Sequence, residues 1–478
     1  MWHHGRTMHR STIRPLLIAL VACSAFSAIG SGQATERQSN RFLIHGELVT
    51  SEGVMGGWLE VRDGHIAHID REKPDIPGVP SLDTSDIIFP SFIDLHNHPS
   101  FNVFPRWTPP HKFPNRYAWR DWDVYRSGLE ARAAALSADG SNFCDIDEYV
   151  EVKALIGGTT SMVGFAERDP HRLLPDCIKG LVRNLDHYTG FYGPDQGHER
   201  IVNSIGITPR DMDSNTAARF AQDIANGDID LLTIHIVEGL PADAESAQEL
   251  DRLAERNLLT AHTALIHSVG LSPSQLTRVR RAGASIVWSL RSNFELYGST
   301  ANVASAFREG VTISLAPDWS PTGSDNMFDE IKYAWGVSRE RLDGLFSARQ
   351  LVEMASSVPA RVARIDDKVG TIAPGMLADF FIVHSTEHQA NKNPYNAVAE
   401  GTIADVQMVV INGTPIYGDV DMLHQLNVKT EPLNRVRIGA CTERRRSPCG
   451  PFAQIQARLS AKMKAIGAEL APLTECVK

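Results

Sequence analysis

The sequence predicts an α/β fold: a (β/α)8 TIM-type barrel with a small β-sandwich built from the segments on either side of it. Two observations support this. Continuous apolar runs recur between helical patterns from residue 88 to 368, and short alternating runs precede and follow that region. Parallel barrel strands are buried on both faces and therefore give continuous apolar runs. Eight strand–helix alternations over about 280 residues match a closed parallel barrel.

The predicted barrel strands occupy positions 88–96, 160–166, 187–192, 201–207, 231–237, 262–267, 284–289 and 311–318. The carboxyl ends of the parallel strands of a barrel lie at one rim, where the reactive groups of such barrels are found. Polar residues at the ends of these runs are therefore the first candidates for a functional site.

Two tight hairpin turns mark the predicted sandwich, at Asp63-Gly64 and at Asn412-Gly413. Asp-Gly and Asn-Gly are the dipeptides that two-residue hairpin loops prefer. Because strand-like runs surround both turns, we expect residues 41–87 and 369–420 to pair with each other as one composite sandwich.

The C-terminal extension, residues 421–478, contains one more helical pattern. Its apolar residues recur every three or four positions, which predicts a helix with a single docking face: Phe452, Ile455, Leu459, Met463, Ile466 and Leu470.

The first 34 residues have the pattern of a secretory signal. Three arginines precede an apolar run at 15–22, and small residues follow it. This order is that of a signal peptide, and the run is too short to stay in the bilayer as a spanning helix. We therefore expect export to the bacterial periplasm. Leu20-Val21-Ala22-Cys23 also resembles a lipobox, so a lipid anchor at Cys23 is the alternative to cleavage near Gly32-Gln33-Ala34.

Export also permits disulfide bonds. Cys441 and Cys449 lie in one short loop and are therefore the pair that closes at the lowest entropic cost. The sequence leaves the other pairings open.

The charge balance bears on the partners of the protein. The 57 acidic residues outnumber the 47 basic ones, which gives a net charge of −10. A surface of that sign repels phosphate backbones, so nucleic acid is not an expected partner. The expected substrate is a small molecule, and the sequence leaves the oligomeric state open.

Histidines stand at the ends of several predicted strands. His96 and His98 end the first run, and alternate residues of a strand face the same side, so both imidazoles can reach one ion. His235 ends the fifth run, and Glu238 follows three residues later.

The sixth and eighth runs end in the same manner, with His267 and Asp318. Imidazole and carboxylate groups at one rim suit a divalent ion, which acts as a Lewis acid there. Histidines scattered in a core would not collect at strand ends, so the pattern predicts a metal centre.

With these residues in place, the chain resembles the amidohydrolase superfamily, specifically the branch of cytosine deaminase and the triazine chlorohydrolases. The resemblance extends over about residues 41 to 420. It rests on the stretches FPSFIDLHNH, GGTTS, IHIVEG, LIHSVGLS, LAPDWSP and VGTIAPGMLADFFIV.

The resemblance implies a role for each rim residue. One divalent metal ion would be held by His96, His98, His235 and Asp318. Zinc is the expected metal, with iron or manganese as alternatives. Glu238 would shuttle protons to the substrate, and His267 would polarise the attacked or leaving group. Asp318 would also accept a proton from the attacking water. The implied activity is hydrolysis of a carbon–nitrogen bond in a small molecule: a non-peptide amide, a cyclic amide, or an amine lost by deamination.

Two alternatives to this activity stay open. A dinuclear amidase, peptidase or lactonase on the same barrel would need a group that bridges two ions. Lys179 lies in a helical pattern at 174–185, which directs it away from a strand end, and Glu167 is the other candidate bridge. A single ion is therefore predicted. The second alternative is a metal-binding scaffold without catalytic activity.

The surroundings of the site depart from the family pattern. Pro317 and Trp319 flank Asp318 where threonine and a small residue are common, whereas Ser292-Asn293 matches the family's pocket-lining pair. A long segment after the first strand is rich in aromatic residues. It is either a lid over the rim or a satellite core, and it contains Phe101, Phe104, Trp107, Phe113, Tyr117, Trp119, Trp122 and Tyr125.

Overall fold

The computed structural model describes residues 41–165, 181–186, 200–385, 393–429, 435–438, 442–446 and 452–474. Several predicted features lie outside these residues. They are the segment 1–34 with Cys23, the third strand at 187–192, Glu167, Lys179, Cys441 and Cys449.

The strands fall into three consecutive groups along the chain. The first group is β1 (Arg41–Thr50), β2 (Gly53–Arg62), β3 (His65–Asp70) and β4 (Ser81–Pro90). The second group is β5 (Phe92–Asp94), β6 (Thr159–Met162), β7 (Arg183–Asn184), β8 (Arg200–Ile205), β9 (Ile229–Ile236), β10 (Thr263–His267), β11 (Ser285–Trp288) and β12 (Ile313–Leu315). The third group is β13 (Phe380–Val383), β14 (Val406–Ile411), β15 (Thr414–Asp419), β16 (Arg435–Ile438) and β17 (Thr442–Arg446).

Helices follow most strands of the second group. Up to β9 they are α1 (Arg116–Arg120), α2 (Asp123–Tyr125), α3 (Ala131–Ala138), α4 (Phe143–Leu155) and α5 (Ser214–Asn226). From β9 to β13 they are α6 (Ala244–Ala247), α7 (Glu249–Glu255), α8 (Pro273–Ala282), α9 (Leu290–Tyr297), α10 (Val303–Glu309), α11 (Met327–Arg341), α12 (Ala348–Glu353) and α13 (Ser357–Val362). The last three are α14 (Asn396–Ala399), α15 (Val420–Gln425) and α16 (Phe452–Ala465).

The second group forms the predicted barrel of parallel strands. β8 to β12 pair in sequence order in one sheet, and β5 to β7 pair in another. The Val202 N–H donates to the Leu185 carbonyl at 2.9 Å and joins the two sheets on one side. On the other side Asn97 pairs with Asp318 in a parallel bridge, beyond the ends of β5 and β12. The ring therefore closes, and the predicted fold class is confirmed.

Two strand predictions differ from the structure. The run predicted at 88–96 is divided: Ile88 and Phe89 belong to β4, and β5 begins only at Phe92. Pro90 has no N–H to donate, so the strand ends there and the chain passes from one sheet to the other. In the third position of the barrel the structure has β7, where the helical pattern at 174–185 predicted a helix.

The first and third groups form one nine-stranded mixed sheet, in the order β16-β17-β15-β14-β13-β4-β1-β2-β3. Its centre is the antiparallel pair of β4 and β13, so the N- and C-terminal segments pair as predicted. Both predicted hairpins are present. Asp63 (φ 49°) and Gly64 (φ 83°) join β2 to β3, and Asn412 (φ 51°) and Gly413 (φ 71°) join β14 to β15. Two consecutive positive φ angles give the turn whose twist matches a hairpin.

The central strands of this sheet are buried on both faces. Ile88 and Phe380 pack in the core of the mixed sheet, whereas their neighbours Phe89 and Phe381 belong to the core shared with the barrel helices. The Phe381 ring lies 4.7 Å from the ring of Phe92 at the start of β5. Because each buried side chain of this size contributes about 1.5–3 kcal/mol, this contact firmly couples the sheet to the base of the barrel.

The predicted docking helix is α16. Phe452, Ile455, Leu459 and Met463 are all buried, as the spacing predicted. Phe452 stacks on Tyr149 of α4 at 5.7 Å between ring centroids, and Arg458 donates two hydrogen bonds to Asp145 of the same helix. Among the described residues no helix combines the length and the hydrophobicity that crossing a membrane requires.

Candidate metal centre and active site

Four side-chain donor atoms converge at the rim where β5, β9 and β12 end. His96 Nε2 lies 3.2 Å from His98 Nε2, 3.3 Å from His235 Nε2 and 3.3 Å from Asp318 Oδ1. His98 Nε2 lies 3.3 Å from the same carboxylate oxygen. These four separations match the edge of a tetrahedron whose centre lies about 2.0 Å from each corner, the usual bond length of zinc to imidazole or carboxylate. The donor set therefore fits one divalent ion.

The backbone is strained where it carries site residues. Val237, His267 and Asp318 have φ angles of 46°, 66° and 68°, in the left-handed region that side chains with a Cβ disfavour. Each follows or ends a barrel strand, so the chain turns sharply as it leaves the sheet. Strain of this kind persists only where surrounding contacts enforce it, and it is common at functional sites.

Burial keeps two of the imidazoles in the form that binds metal. The pKa values of His96 and His235 lie well below the usual value, because burial disfavours the charged ring and the neighbouring imidazoles and Arg116 add repulsion. Both rings are therefore neutral at pH 7 and can offer a lone pair. Ser289 Oγ lies 2.7 Å from His96 Nδ1, which leaves Nε2 directed to the centre.

His267 is oriented by a neighbour in α9. Its Nδ1 lies 2.8 Å from Asn293 Oδ1, an oxygen that can only accept, so Nδ1 carries the proton. The other ring nitrogen, Nε2, lies 3.6 Å from Glu238 Oε1. His267 is therefore placed between the predicted proton carrier and the matched Ser-Asn pair of α9.

Glu238 is held by two side chains that sequence reasoning did not connect with it. Arg116 Nη1 donates to its Oε2 at 2.8 Å, and the Tyr297 hydroxyl donates to its Oε1 at 2.6 Å. Burial alone would raise the pKa of this carboxyl, but His267, Arg116 and Tyr297 together hold the pKa below its usual value. Glu238 is therefore ionised at neutral pH.

A third residue extends this hydrogen-bonded group to the pocket wall. The Trp119 Nε1–H donates to the Tyr297 hydroxyl at 2.8 Å, and the Arg116 backbone N–H donates to the Glu238 carbonyl at 2.8 Å. The segment after β5 is thus attached to Glu238 by both side chain and backbone.

A cavity of about 290 Å³ opens over these groups. Its floor carries His98, His235, Glu238, His267 and Asp318. The walls are formed by Phe101, Arg116, Trp119, Arg120, Tyr125, Glu130, Gly206, Ile207, Leu296 and Trp319. The volume suits a small molecule, and the aromatic wall suits a planar one.

The aromatic segment was predicted to be either a lid over the rim or a satellite core, and different parts of it match each prediction. Phe101, Trp119 and Tyr125 face the cavity, where they pack with Trp319, the residue that departs from the family pattern. Trp107, by contrast, packs against Trp122 at 5.8 Å between ring centroids, away from the cavity. One part of the segment therefore covers the rim and another part forms a satellite core.

The structure brings all six predicted site residues together at one rim. Their assignment as ligands and proton carriers stays a prediction. Sequence reasoning missed the contacts of three residues: Arg116, and Ser289 and Tyr297, which lie before and in α9. Ser289 lies between β11 and α9, and this position after a barrel strand was the one sequence signal that could have placed it at the rim.

Known proteins resemble this chain in sequence and in fold. The amidohydrolase family model matches residues 225–416. The chain is 24% identical over 420 residues to a protein of Syntrophobacter fumaroxidans named 5-methylthioadenosine/S-adenosylhomocysteine deaminase, covering 81% of this chain and 93% of the relative.

Two solved structures with bound zinc share the fold. The adenosine deaminase from Xanthomonas campestris superposes with a TM-score of 0.67 at 15% identity, over 89% of this chain and 98% of its own. The atrazine chlorohydrolase from Arthrobacter aurescens superposes with a TM-score of 0.65 at 17% identity, over 88% of this chain and 99% of its own.

Proposed function

We propose that this chain, a hydrolase of carbon–nitrogen bonds other than peptide bonds that resembles the amidohydrolase family over residues 225–416, removes an amino group by hydrolysis from a planar, ring-containing small molecule. One observation supports the proposal: His96 Nε2 lies 3.2–3.3 Å from donor atoms of His98, His235 and Asp318, beside Glu238 and His267.

The four donor side chains would hold one divalent ion, with zinc proposed because three imidazoles and one carboxylate at this spacing suit it. An ion bound there would supply Lewis acidity and lower the pKa of a water to about 7. Asp318 Oδ1 lies 3.3 Å from Nε2 of both His96 and His98, so as one of the donors it would also accept a proton from the attacking water.

Glu238 would carry a proton to the departing nitrogen. Since its pKa is held low, Glu238 is ionised in the free protein and must first take up a proton before it delivers one. His267 Nε2 faces Glu238 Oε1 at 3.6 Å, so it is placed to contact the same reacting carbon–nitrogen group.

The cavity supports a planar substrate. Trp119 and Trp319 line it beside the floor residues, and a ring held against them would have its amino group over the metal centre. Relatives and structural neighbours are named deaminases of adenine-containing compounds or a hydrolase of atrazine. These names support a nitrogen-rich ring as the substrate class.

We also propose that the protein is exported. The arginines and apolar run of residues 1–34 support this, and so does the disulfide bond of Cys144, because disulfides persist mainly in oxidising compartments. Fractionation of cells that express the full chain, with mass spectrometry of the mature N-terminus, tests this. A cytoplasmic protein that retains residues 1–34 would contradict export, and a lipidated Cys23 would favour the anchored form.

Ammonia release tests the activity. The zinc-loaded protein would be assayed with adenosine, 5-methylthioadenosine, S-adenosylhomocysteine, cytosine and melamine. We expect turnover of at least one compound and a loss of at least about 100-fold in Glu238→Gln, because general acid–base groups contribute that much. Glu52→Gln, at an exposed turn, is the matched control. Zinc-loaded protein that releases no ammonia from any of these rings would contradict the proposed substrate class, and full activity of Glu238→Gln would contradict its role.

A further inference from the structure

One buried side chain connects the two loops that carry three of the four proposed metal donors, His96, His98 and Asp318. Asn102, in the segment after β5, donates from Nδ2 to Asn97 Oδ1 at 2.7 Å. Its Oδ1 accepts the Ser320 backbone N–H at 2.8 Å. Asn97 lies between His96 and His98, and Ser320 lies two residues after Asp318. The amide of Asn102 therefore bridges the loop with two imidazoles to the loop with the carboxylate.

The orientation of this amide is fixed by its partners. The Ser320 N–H can only donate, so the atom that faces it must be the oxygen of Asn102, and the amide nitrogen must face Asn97. Asn97, Asn102 and Ser320 are exposed by 7%, 5% and 2%, so water does not compete for these bonds. A buried polar group that loses its partner costs about 1–3 kcal/mol, which makes the bridge a strong constraint.

The same bridge is anchored on the loop that carries the imidazoles. Asp94, the last residue of β5, accepts the His96 backbone N–H at 3.0 Å through Oδ1 and the Asn97 Nδ2 at 2.6 Å through Oδ2. The backbone around His96 is therefore held by Asp94 on one side and by Asn102, through Asn97, on the other.

The loop that carries Asp318 is equally constrained. The Gly323 N–H donates to the Trp319 carbonyl at 2.7 Å, and a Cβ at Gly323 would meet the Pro317 carbonyl oxygen, so only glycine permits this closure. Lys153 of α4 donates to the Asn102 carbonyl at 3.4 Å and forms a buried ion pair with Asp325 at 2.8 Å. The two loops also meet directly, since the His98 N–H donates to the Asp318 carbonyl at 3.2 Å, and Asn102 adds a side-chain link between them.

We propose that Asn102 is a positioning residue of the metal centre: together with the direct backbone contact of His98 with Asp318, its side-chain amide holds His96 and His98 on one loop at a fixed separation from Asp318 on the other, and thereby raises metal affinity. The inference rests on the metal centre of the proposed function. Asn102 does not line the cavity, so its effect would act through the donors and not through the substrate.

Zinc affinity tests this inference without any substrate. Dissociation constants for zinc would be measured by competition with a chromophoric chelator, and the ligand-field absorption of the cobalt-substituted protein would report donor geometry. In Asn102→Leu we expect a rise in the zinc dissociation constant of about 10- to 100-fold, the range for residues that orient metal ligands, with an altered cobalt spectrum. Asn142→Leu is the matched control, because Asn142 is equally buried and donates to the Leu136 carbonyl, which belongs to neither of the two loops.

Two further variants keep the test decisive if Asn102→Leu does not fold. Asn102→Asp keeps the oxygen for Ser320 but places an acceptor against Asn97 Oδ1 in place of the donor, so it should also weaken zinc binding about tenfold. Asn97→Ala removes the same hydrogen bond, and the double variant should be no weaker than the weaker single variant, because the two changes are coupled.

The outcomes separate this inference from the proposed function. Wild-type protein that binds no divalent ion would overturn the metal centre itself. Wild-type protein that binds zinc, together with Asn102 variants whose zinc dissociation constant and cobalt spectrum match those of Asn142→Leu, would overturn the positioning role alone.

Discussion

Arg116 Nη1 lies 2.8 Å from Glu238 Oε2 in a buried ion pair, with side-chain exposures of 8% and 3%. Arg116 begins α1, in the segment that covers the rim, and Glu238 follows the end of β9. The covering segment therefore contributes a charge to the group that is proposed to carry protons. A substrate that displaces the segment would also change the environment of Glu238.

Replacing Arg116 by methionine should shift the pH dependence of activity. Because the guanidinium helps to hold the pKa of Glu238 below its usual value, its loss raises that pKa, and activity is lost at a higher pH as the pH falls. We expect kcat/KM at pH 7 to fall about 100-fold and the acidic limb of its pH profile to move upward. Arg126→Met, which removes an exposed ion pair with Asp121 in the same segment, is the control. An unmoved acidic limb in Arg116→Met would mean that this limb reports another group.

Tyr297→Phe should lower kcat and leave KM close to that of the wild type. The change removes one hydroxyl, which donates to Glu238 Oε1 at 2.6 Å and does not line the cavity. A hydrogen bond to a charged group contributes about 1.5–3 kcal/mol, so a fall in kcat of about 10- to 100-fold is expected. Steady-state kinetics on the same substrate measures both constants.

Tyr149→Phe is the matched control for that variant. Tyr149 is also buried and donates its hydroxyl to the Ala471 carbonyl at 2.5 Å, far from Glu238. We expect it to lower the melting temperature without changing kcat. Equal effects of the two substitutions on kcat would show that the Tyr297 hydroxyl acts only through overall stability.

The sequence predicts the barrel strands correctly where both faces of a strand are buried. Residues 231–236 are buried throughout, so the run Leu-Leu-Thr-Ile-His-Ile has no polar face and predicts an interior strand. The run from Ile87 to Ile93 looks the same, although it crosses from one sheet to another at Pro90. Periodicity reports burial but not which sheet buries the residue, and for that reason the boundary was wrong.

β7 could not be found in this way. It has only two residues, Arg183 and Asn184, and both side chains are buried. Arg183 pairs with Asp379, which directly precedes β13. The apolar residues before β7 have helical spacing, so the local pattern predicted a helix where the structure has a strand. The pairing with β6 decides the structure there.

The residues of the candidate site also fall into two groups, those that sequence position could place and those that it could not. His96, His98, His235, His267 and Asp318 end apolar runs, so the position of each on a strand places it at the rim. Arg116 and Tyr297 lie in a covering segment and at the end of α9, where neighbours in space are set by the fold and not by chain position. Their contacts with Glu238 therefore required coordinates.

Metal analysis should give about one divalent ion per chain in the purified protein. Removal of the ion by a chelator should abolish activity, and added zinc should restore it. The variant His235→Ala should lose the ion, whereas His68→Ala, at an exposed position of β3, should retain it. Elemental analysis by mass spectrometry measures the content. A value of two ions, with Glu167→Ala losing one, would instead favour a dinuclear amidase or lactonase. Wild-type protein without any tightly bound ion, and unaffected by His235→Ala, would favour a scaffold.

Asp147 of α4 provides a test of stability that does not depend on the metal. Its carboxylate is exposed by only 4%, and Oδ2 has no hydrogen-bond partner within the described part of the chain. Burial raises the pKa of Asp147 to about 8. In the unfolded chain the same group ionises near pH 4. The folded protein therefore binds one more proton than the unfolded chain between about pH 4 and pH 8, and the stability from this group is lost as the pH rises through that window.

Asp147→Asn removes the ionisable proton with almost no change of shape. We expect the variant to match the wild type near pH 4 and to become progressively more stable than it up to about pH 8, by an amount on the order of a few kcal/mol at most. Melting temperatures measured at intervals across this range, with Asp123→Asn at an exposed position as the control, give the comparison. A difference in melting temperature that stays constant from pH 4 to pH 8 would show that Asp147 has the same proton occupancy in the folded and unfolded chains, and hence that its carboxylate has a partner or reaches water.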